Sequence, residues 1–171
     1  MESPHILFKG IPVTGTVESF ADKLQSIGFS CQKTEDRSIL CGVFANKNCS
    51  IILKSTVKTN QIWQVIVLID PIYESWIQLK NDYNLLKSMY INKYGQPSND
   101  FQYFLPPYVE GDGNEDHALK DGNVFYGACF DTNEGSILLR IFNNTITIGY
   151  EDNINRQLNQ DELETRIMED I

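Results

Sequence analysis

The chain has 171 residues, 42% of them hydrophobic and 22% charged, about the length of one domain and with enough apolar material for a core, which argues against a disordered chain. No run nears the roughly 18 apolar residues of a membrane helix, and the N-terminal stretch lacks the basic start and apolar run of a signal peptide. Lys plus Arg number 14 against 23 Asp plus Glu, a net charge of −9 that repels a phosphate backbone and disfavours sequence-independent nucleic-acid binding.

In chain order, Ile6 to Lys9 alternates and reads as a short edge strand, followed by a loop marked by Gly10, Pro12 and Gly15. Val17, Phe20, Ala21, Leu24 and Ile27 then recur at helical spacing, with Thr16 placed to cap the first turn and Gly28 to end the helix. Strands are expected near 29–34, 38–45, 48–56 and 62–70, the last a central strand rich in Val and Ile. A second helix from about Glu74 to Tyr94 carries Trp76, Leu79, Tyr83, Leu86, Tyr90 and Tyr94 on one stripe, which reads as a core face. Gly95 and Pro97 stop it, and strands follow near 99–104, 123–131, 135–142 and 145–150. In the tail, Ile154 and Leu158 fall opposite Leu163, Ile167 and Ile171 on a continuous helix, so the last helix is expected at about 159–170, with Asn159 as its cap and 152–158 irregular.

The order of elements repeats. Gly42 to Lys54 aligns with Gly127 to Arg140, with one extra residue in the second turn. The expectation is therefore one domain over 1–171, built from repeats of about 5–71 and 72–151. The fold class is α+β: a curved antiparallel sheet of two helix-plus-four-strand units, with helices on one face and a C-terminal helix.

The opening Phe8-Lys9-Gly10-Ile11-Pro12, followed by Gly15-Thr16 and an amphipathic helix, looks like the start of small exported proteins of gut bacteria. Tyr94-Gly95-Gln96-Pro97 before a strand is similar to the helix, Gly-x-Pro, strand module of β-lactamase-inhibitor-protein-like domains and small outer-membrane assembly lipoproteins. The resemblance implies a tandem repeat that binds protein without catalysis. The first cysteine is Cys31, so a lipid anchor at the N-terminus finds no support. If Met1 replaces a removed signal peptide the protein is exported or periplasmic; as a native start it implies the cytoplasm.

Residues of chemistry are sparse. His5 is expected as a solvated imidazole at a fraying terminus, and His117 lies in an acidic loop, a poor setting for a general base. The cysteines at 31, 41, 49 and 129 have no metal-ligand spacing; Cys129 aligns with Phe44 as a small core residue, and a bridge between Cys31 and Cys41 requires a tight loop at 35–37. Asp112, Asn114 and Asp116 begin a calcium-loop spacing, but His117 and Asn123 stand where the turn glycine and the bidentate glutamate belong. No cofactor is expected.

The two units differ most in one connection. The first spends about four residues near Thr34 to Arg37, the second about sixteen, Leu105 to Lys120, with two prolines, Tyr108 and four acids. The reading is a non-catalytic protein-binding module, inhibitor- or adaptor-like, whose contacts are Tyr103, Phe104, Tyr108, Asp112 and Asp116, aromatic anchors beside carboxylates suited to a partner with a basic patch. A loop tied only at its ends could be shortened without loss of stability; a loop that folds back over the sheet could not. The alternative is a small apolar ligand held between sheet and helices, in a pocket lined by Trp63 and Trp76.

Overall fold

The computed structural model describes residues 3–33 and 38–171. Strands β1 (Leu7–Phe8) and β2 (Ile11–Pro12) form a small antiparallel ribbon of their own, turning at Lys9 and Gly10, both with positive φ. The expected edge strand therefore does not join the main sheet. Phe8 is fully buried, and its ring packs against Phe44 and Tyr150, so the ribbon is a lid on the core. Helix α1 (Val17–Ser26) begins where expected: the Thr16 hydroxyl accepts from the Ser19 amide at 3.2 Å, and Gly28, with φ of 103°, terminates it.

The remaining elements in order are β3 (Ser30–Lys33), β4 (Ser38–Phe44), β5 (Lys47–Ser55), β6 (Ile62–Ile69), α2 (Trp76–Tyr94), β7 (Asn99–Phe104), α3 (Glu115–Lys120), β8 (Val124–Asp131), β9 (Gly135–Phe142), β10 (Thr145–Asp152) and α4 (Asn153–Asp170). The expected helices and strands thus form, as an α+β protein whose eight main strands make one antiparallel sheet in the order β3-β4-β5-β6-β10-β9-β8-β7. The sheet joins its two meanders through β6 and β10, where Val67 faces Ile148 and Val65 faces Tyr150.

Because directly opposed residues share a face, the register divides the sheet cleanly. One cross-strand row runs Leu40, Ile51, Val67, Ile148, Leu139, Ala128, and all six are buried. The α2 stripe packs on this side: Trp76 and Tyr83 meet Tyr126 edge-on, and the Tyr90 hydroxyl bonds that of Tyr150 at 2.6 Å. Phe20 and Leu24 of α1 are fully buried, while the opposite-face residues Val43, Ile52 and Lys54 are exposed, so α1 covers the same side.

The second series of helix and strands is interrupted by α3 between β7 and β8, and the residue match between the two hairpins does not carry over to position. Gly42 points to the helix side, beneath the Phe29 ring, whereas Gly127 points to the other side, beneath Phe101. The second strands do correspond, since Ile51 and Ile137 both face the helices. The extra residue in the alignment is the reason: strand side chains alternate, so one residue of offset exchanges the faces. For the same reason Cys129 pairs with Leu138 on the far face, half-buried, and is not a core counterpart of Phe44.

Ala45 and Asn46, both with positive φ, make the turn between Phe44 and Lys47, so Cys41 opposes Ser50. Cys31 opposes Leu40 on the helix side and Cys41 opposes Ser30 on the other; the register separates them, and all four cysteines are free thiols. The connection expected at 34–37 lies outside the described residues.

Shared burial across β6 and β10 makes the halves interdependent. Cleaving the chain at Pro71 is expected to give two fragments with no cooperative melt, because each loses a central strand partner and half of the buried rows. Circular dichroism melts of the separate fragments check this; a cooperative transition in residues 1–71 alone contradicts it.

The last helix starts earlier than expected. Asp152 caps it, its Oδ1 accepting from the Asn155 amide at 2.8 Å, and α4 runs unbroken from Asn153. What docks this helix is polar. Asn155 Nδ2 donates to the Val13 and Ile62 carbonyls at 3.1 and 2.9 Å, and Glu162, on the same face seven residues later, accepts from the Lys58 and Thr59 amides at 2.7 and 3.2 Å. Helical apolar periodicity misses the start of such a helix, since Ile154, Leu163, Ile167 and Met168 remain exposed. Asp152 is fully buried and also receives the Ile6 amide at 3.1 Å and His5 Nδ1 at 3.1 Å, so His5 is anchored rather than fraying.

Candidate functional site

The face of the sheet away from α1 and α2 carries one apolar row beside a mixed one. Ile52, Ile66, Gly149, Leu138 and Cys129 lie opposite one another across five strands, and Ser50, Leu68, Thr147, Arg140, Gly127 and Phe101 form the adjoining row. Near the β7 edge the rings gather. Tyr103 stacks on Phe125 at 5.2 Å and 11°, and Phe101 lies 6.3 Å from Tyr103 and over Gly127. A Cβ at Gly127 would sit 2.2 Å from the Phe101 ring, so glycine there lets the aromatic lie flat on the strand. Beyond them Arg140 covers the Phe142 ring at 4.5 Å. Tyr103 is 48% exposed, Phe142 45% and Val43 54%. The run Ile62–Ile69 reads as a strand buried on both faces, so the pattern alone did not show that its far face stays partly open.

The long connection Leu105 to Lys120 is folded onto the protein. It contains α3, in which Ala118 and Leu119 are buried. Asp116 accepts the Trp76 amide at 2.7 Å, serving the α2 N-terminus that Ser75 leaves without a side-chain cap. Glu110 pairs with Lys80 and accepts the Tyr126 hydroxyl at 2.8 Å. Tyr108 packs on the core edge and donates its hydroxyl to Asp121. Asp112 accepts the Val109 and Asn114 amides at 3.0 and 2.7 Å. Phe104 meets Trp76 edge-on on the helix side. Of the five candidate contact residues, then, Tyr103 lies on the open face, Phe104 and Tyr108 pack against the core, and Asp112 and Asp116 order backbone.

Glu110, in this connection, and Asp82, on α2, are among the carboxylates with lowered pKa values. The Lys80 ammonium holds Glu110 below its ordinary range, against the opposing effect of burial. At Asp82, burial pushes upward, but Lys47 at 2.6 Å and the Tyr73 hydroxyl at 2.6 Å outweigh it. A depressed folded-state pKa contributes stability above the ordinary carboxylate range that is lost as pH falls through the folded value. These side chains are partly solvated, so each pair contributes on the order of 0.5–1 kcal/mol. Glu110→Gln is therefore expected to lower stability by about that amount at pH 7 and to match the parent below the carboxylate range, near pH 2, as urea denaturation at the two pH values would show.

Trp63 and Trp76 do not line a common pocket. Trp76 is buried between α2 and β8, whereas Trp63 sits half-buried on β6 with Lys54 Nζ 5.7 Å from its ring. A cleft of about 1000 Å³ lies elsewhere, between the N-terminal ribbon and the C-terminal end of α2. No helix is long and apolar enough to cross a membrane among the described residues.

Comparison of the chain with protein-family models, with curated proteins and with solved structures gives no match.

Proposed function

We propose that this chain is a non-catalytic protein-binding module that engages its partner through the open face of its sheet. The observation that carries this reading is the aromatic cluster Phe101, Tyr103 and Phe125, with Phe142 on the neighbouring strand, on the face that α1 and α2 leave uncovered. Contiguous exposed apolar surface marks interaction sites, and large rigid rings contribute most of the energy at such interfaces. Tyr103, the most exposed ring of this cluster, is its anchor. The connection after β7 adds negative charge that would steer a partner with a basic patch at long range, although Glu110 and Asp116 are turned toward α2 rather than toward the open face. That charge acts on encounter rate rather than on contact.

The test is retention on immobilised full-length chain. A partner held by the parent protein should be lost with Tyr103→Asp and with Phe125→Asp at unchanged melting temperature, and retained with a control at Ile77, exposed on α2. Retention by both open-face variants overturns the assignment of the surface.

A further inference from the structure

The cleft on the helix side has a chemistry of its own, distinct from the open face. Its apolar wall is Phe44, Tyr90, Tyr94 and Tyr150, with Met89 at the rim. Phe44 is fixed by stacking on Phe8 at 5.7 Å, and Tyr94 by stacking on Tyr90 at 5.8 Å, so the wall is built from packed rings. A volume of about 1000 Å³ is enough for a drug-sized molecule.

The polar groups are biased toward donors. Lys9 and Lys93 both line the cleft, and neither has a carboxylate within 4.0 Å among the described residues; Glu134 is the single acid in the lining. In a chain of net charge −9 this is a local reversal of sign. Lys93 Nζ sits over the Tyr94 ring at 5.1 Å with its donors to spare, while Lys9 Nζ spends one proton on the Val43 carbonyl at 3.3 Å and sits over the Phe29 ring at 5.4 Å, which leaves it fewer. The Tyr90 and Tyr150 hydroxyls add one more. Two phenols carry two protons, their mutual bond uses one, and neither has another partner among the described residues. Burial raises both phenol pKa values, so they stay protonated donors at neutral pH.

From these placements we infer that the cleft binds an organic anion, a carboxylate on an apolar body of ring size. The body lies against Phe44, Tyr94 and Tyr150, and the carboxylate accepts from Lys93, with Lys9 and the spare phenol proton as further donors. An apolar cavity selects size and shape, while a few placed donors set orientation and charge. The site is independent of the open face, and its failure or success leaves the protein-binding proposal where it stands.

The probe is 8-anilinonaphthalene-1-sulfonate, titrated by fluorescence into the full chain. Saturable binding at one site per chain is expected. Lys93→Glu, at an exposed position, should weaken it at least tenfold, and Glu134→Lys should strengthen it about threefold. Phe125→Asp, on the open face, should leave it within twofold. In competition, 2-naphthoate should displace the probe and 2-naphthol at the same concentration should not. Absence of saturable binding, affinities of Lys93→Glu and Glu134→Lys both within twofold of the parent, loss of the signal in Phe125→Asp, or equal competition by the alcohol each overturns the inference.

Discussion

Replacing residues 105–120 by a four-residue turn is expected to remove roughly 4 kcal/mol of stability, a large share of what a domain of this size possesses. Shortening a flexible loop from sixteen residues to four would by itself raise stability by on the order of 1 kcal/mol, because closure entropy grows logarithmically with length. Packing opposes that gain and exceeds it. Deleting the segment removes Leu119, 2% exposed and worth about 2–5 kcal/mol as a buried leucine. It also removes the Asp116 cap on α2, worth about 1 kcal/mol, and the Tyr108 ring. Trp76 and Tyr126 would lose part of their cover. Chemical denaturation measures the difference. Two point variants divide it: Leu119→Ala should cost about 3 kcal/mol, and Asp116→Asn should cost much less than Asp116→Ala because the amide oxygen can still accept from Trp76. A melting temperature unchanged by the deletion would mean that the segment is tied only at its ends, and would return the acidic residues to a purely recognitive role.

The second large effect is expected at Asp152. Its carboxylate is inaccessible to solvent and gathers the Ile6 amide, the Asn155 amide and His5 Nδ1, so it ties the N-terminal ribbon to the start of α4 at the end of β10. Asp152→Ala leaves those donors buried without an acceptor, at a cost of about 3 kcal/mol or more. Asp152→Asn keeps an oxygen for one amide and should cost roughly half as much. Amide hydrogen exchange adds a local reading: protection at Ile6 and at the first turn of α4 should fall before that of the central strands. An alanine variant within 1 kcal/mol of the parent would show that water replaces the carboxylate freely, which the burial of this site argues against.

The two sites differ in how they could be found beforehand. Asp116 reads in the sequence as a partner contact, and Asp152 as part of an irregular stretch before the last helix. Their roles depend on partners 40 and 146 residues away, the amides of Trp76 and Ile6. Local pattern carries no information about such pairs. The early start of α4 is the same case. Apolar periodicity marks a helix docked by a greasy face, and this one docks through Asn155 and Glu162. A signal was present nonetheless: Asp152 stands three residues before Asn155, the spacing of a side-chain cap.

Local physics determined much of the rest. Period-two and period-3.6 patterns, with caps and positive-φ turn residues, placed α1, α2 and the eight main strands close to their observed ends, because those signals act over a few residues and agree with one another. The aromatic stripe of α2 was legible as a core face for the same reason. Side of the sheet was not. Gly42 and Gly127 stand in matching sequence and point in opposite directions, since a single residue of offset reverses every side chain that follows. The pairing of β6 with β10 made one sheet of the two meanders, left Phe101, Tyr103 and Phe125 on its open face, and brought the ribbon against α2 to form a cleft. Those outcomes belong to the tertiary structure because each is a contact between segments whose separation along the chain no local preference can bridge.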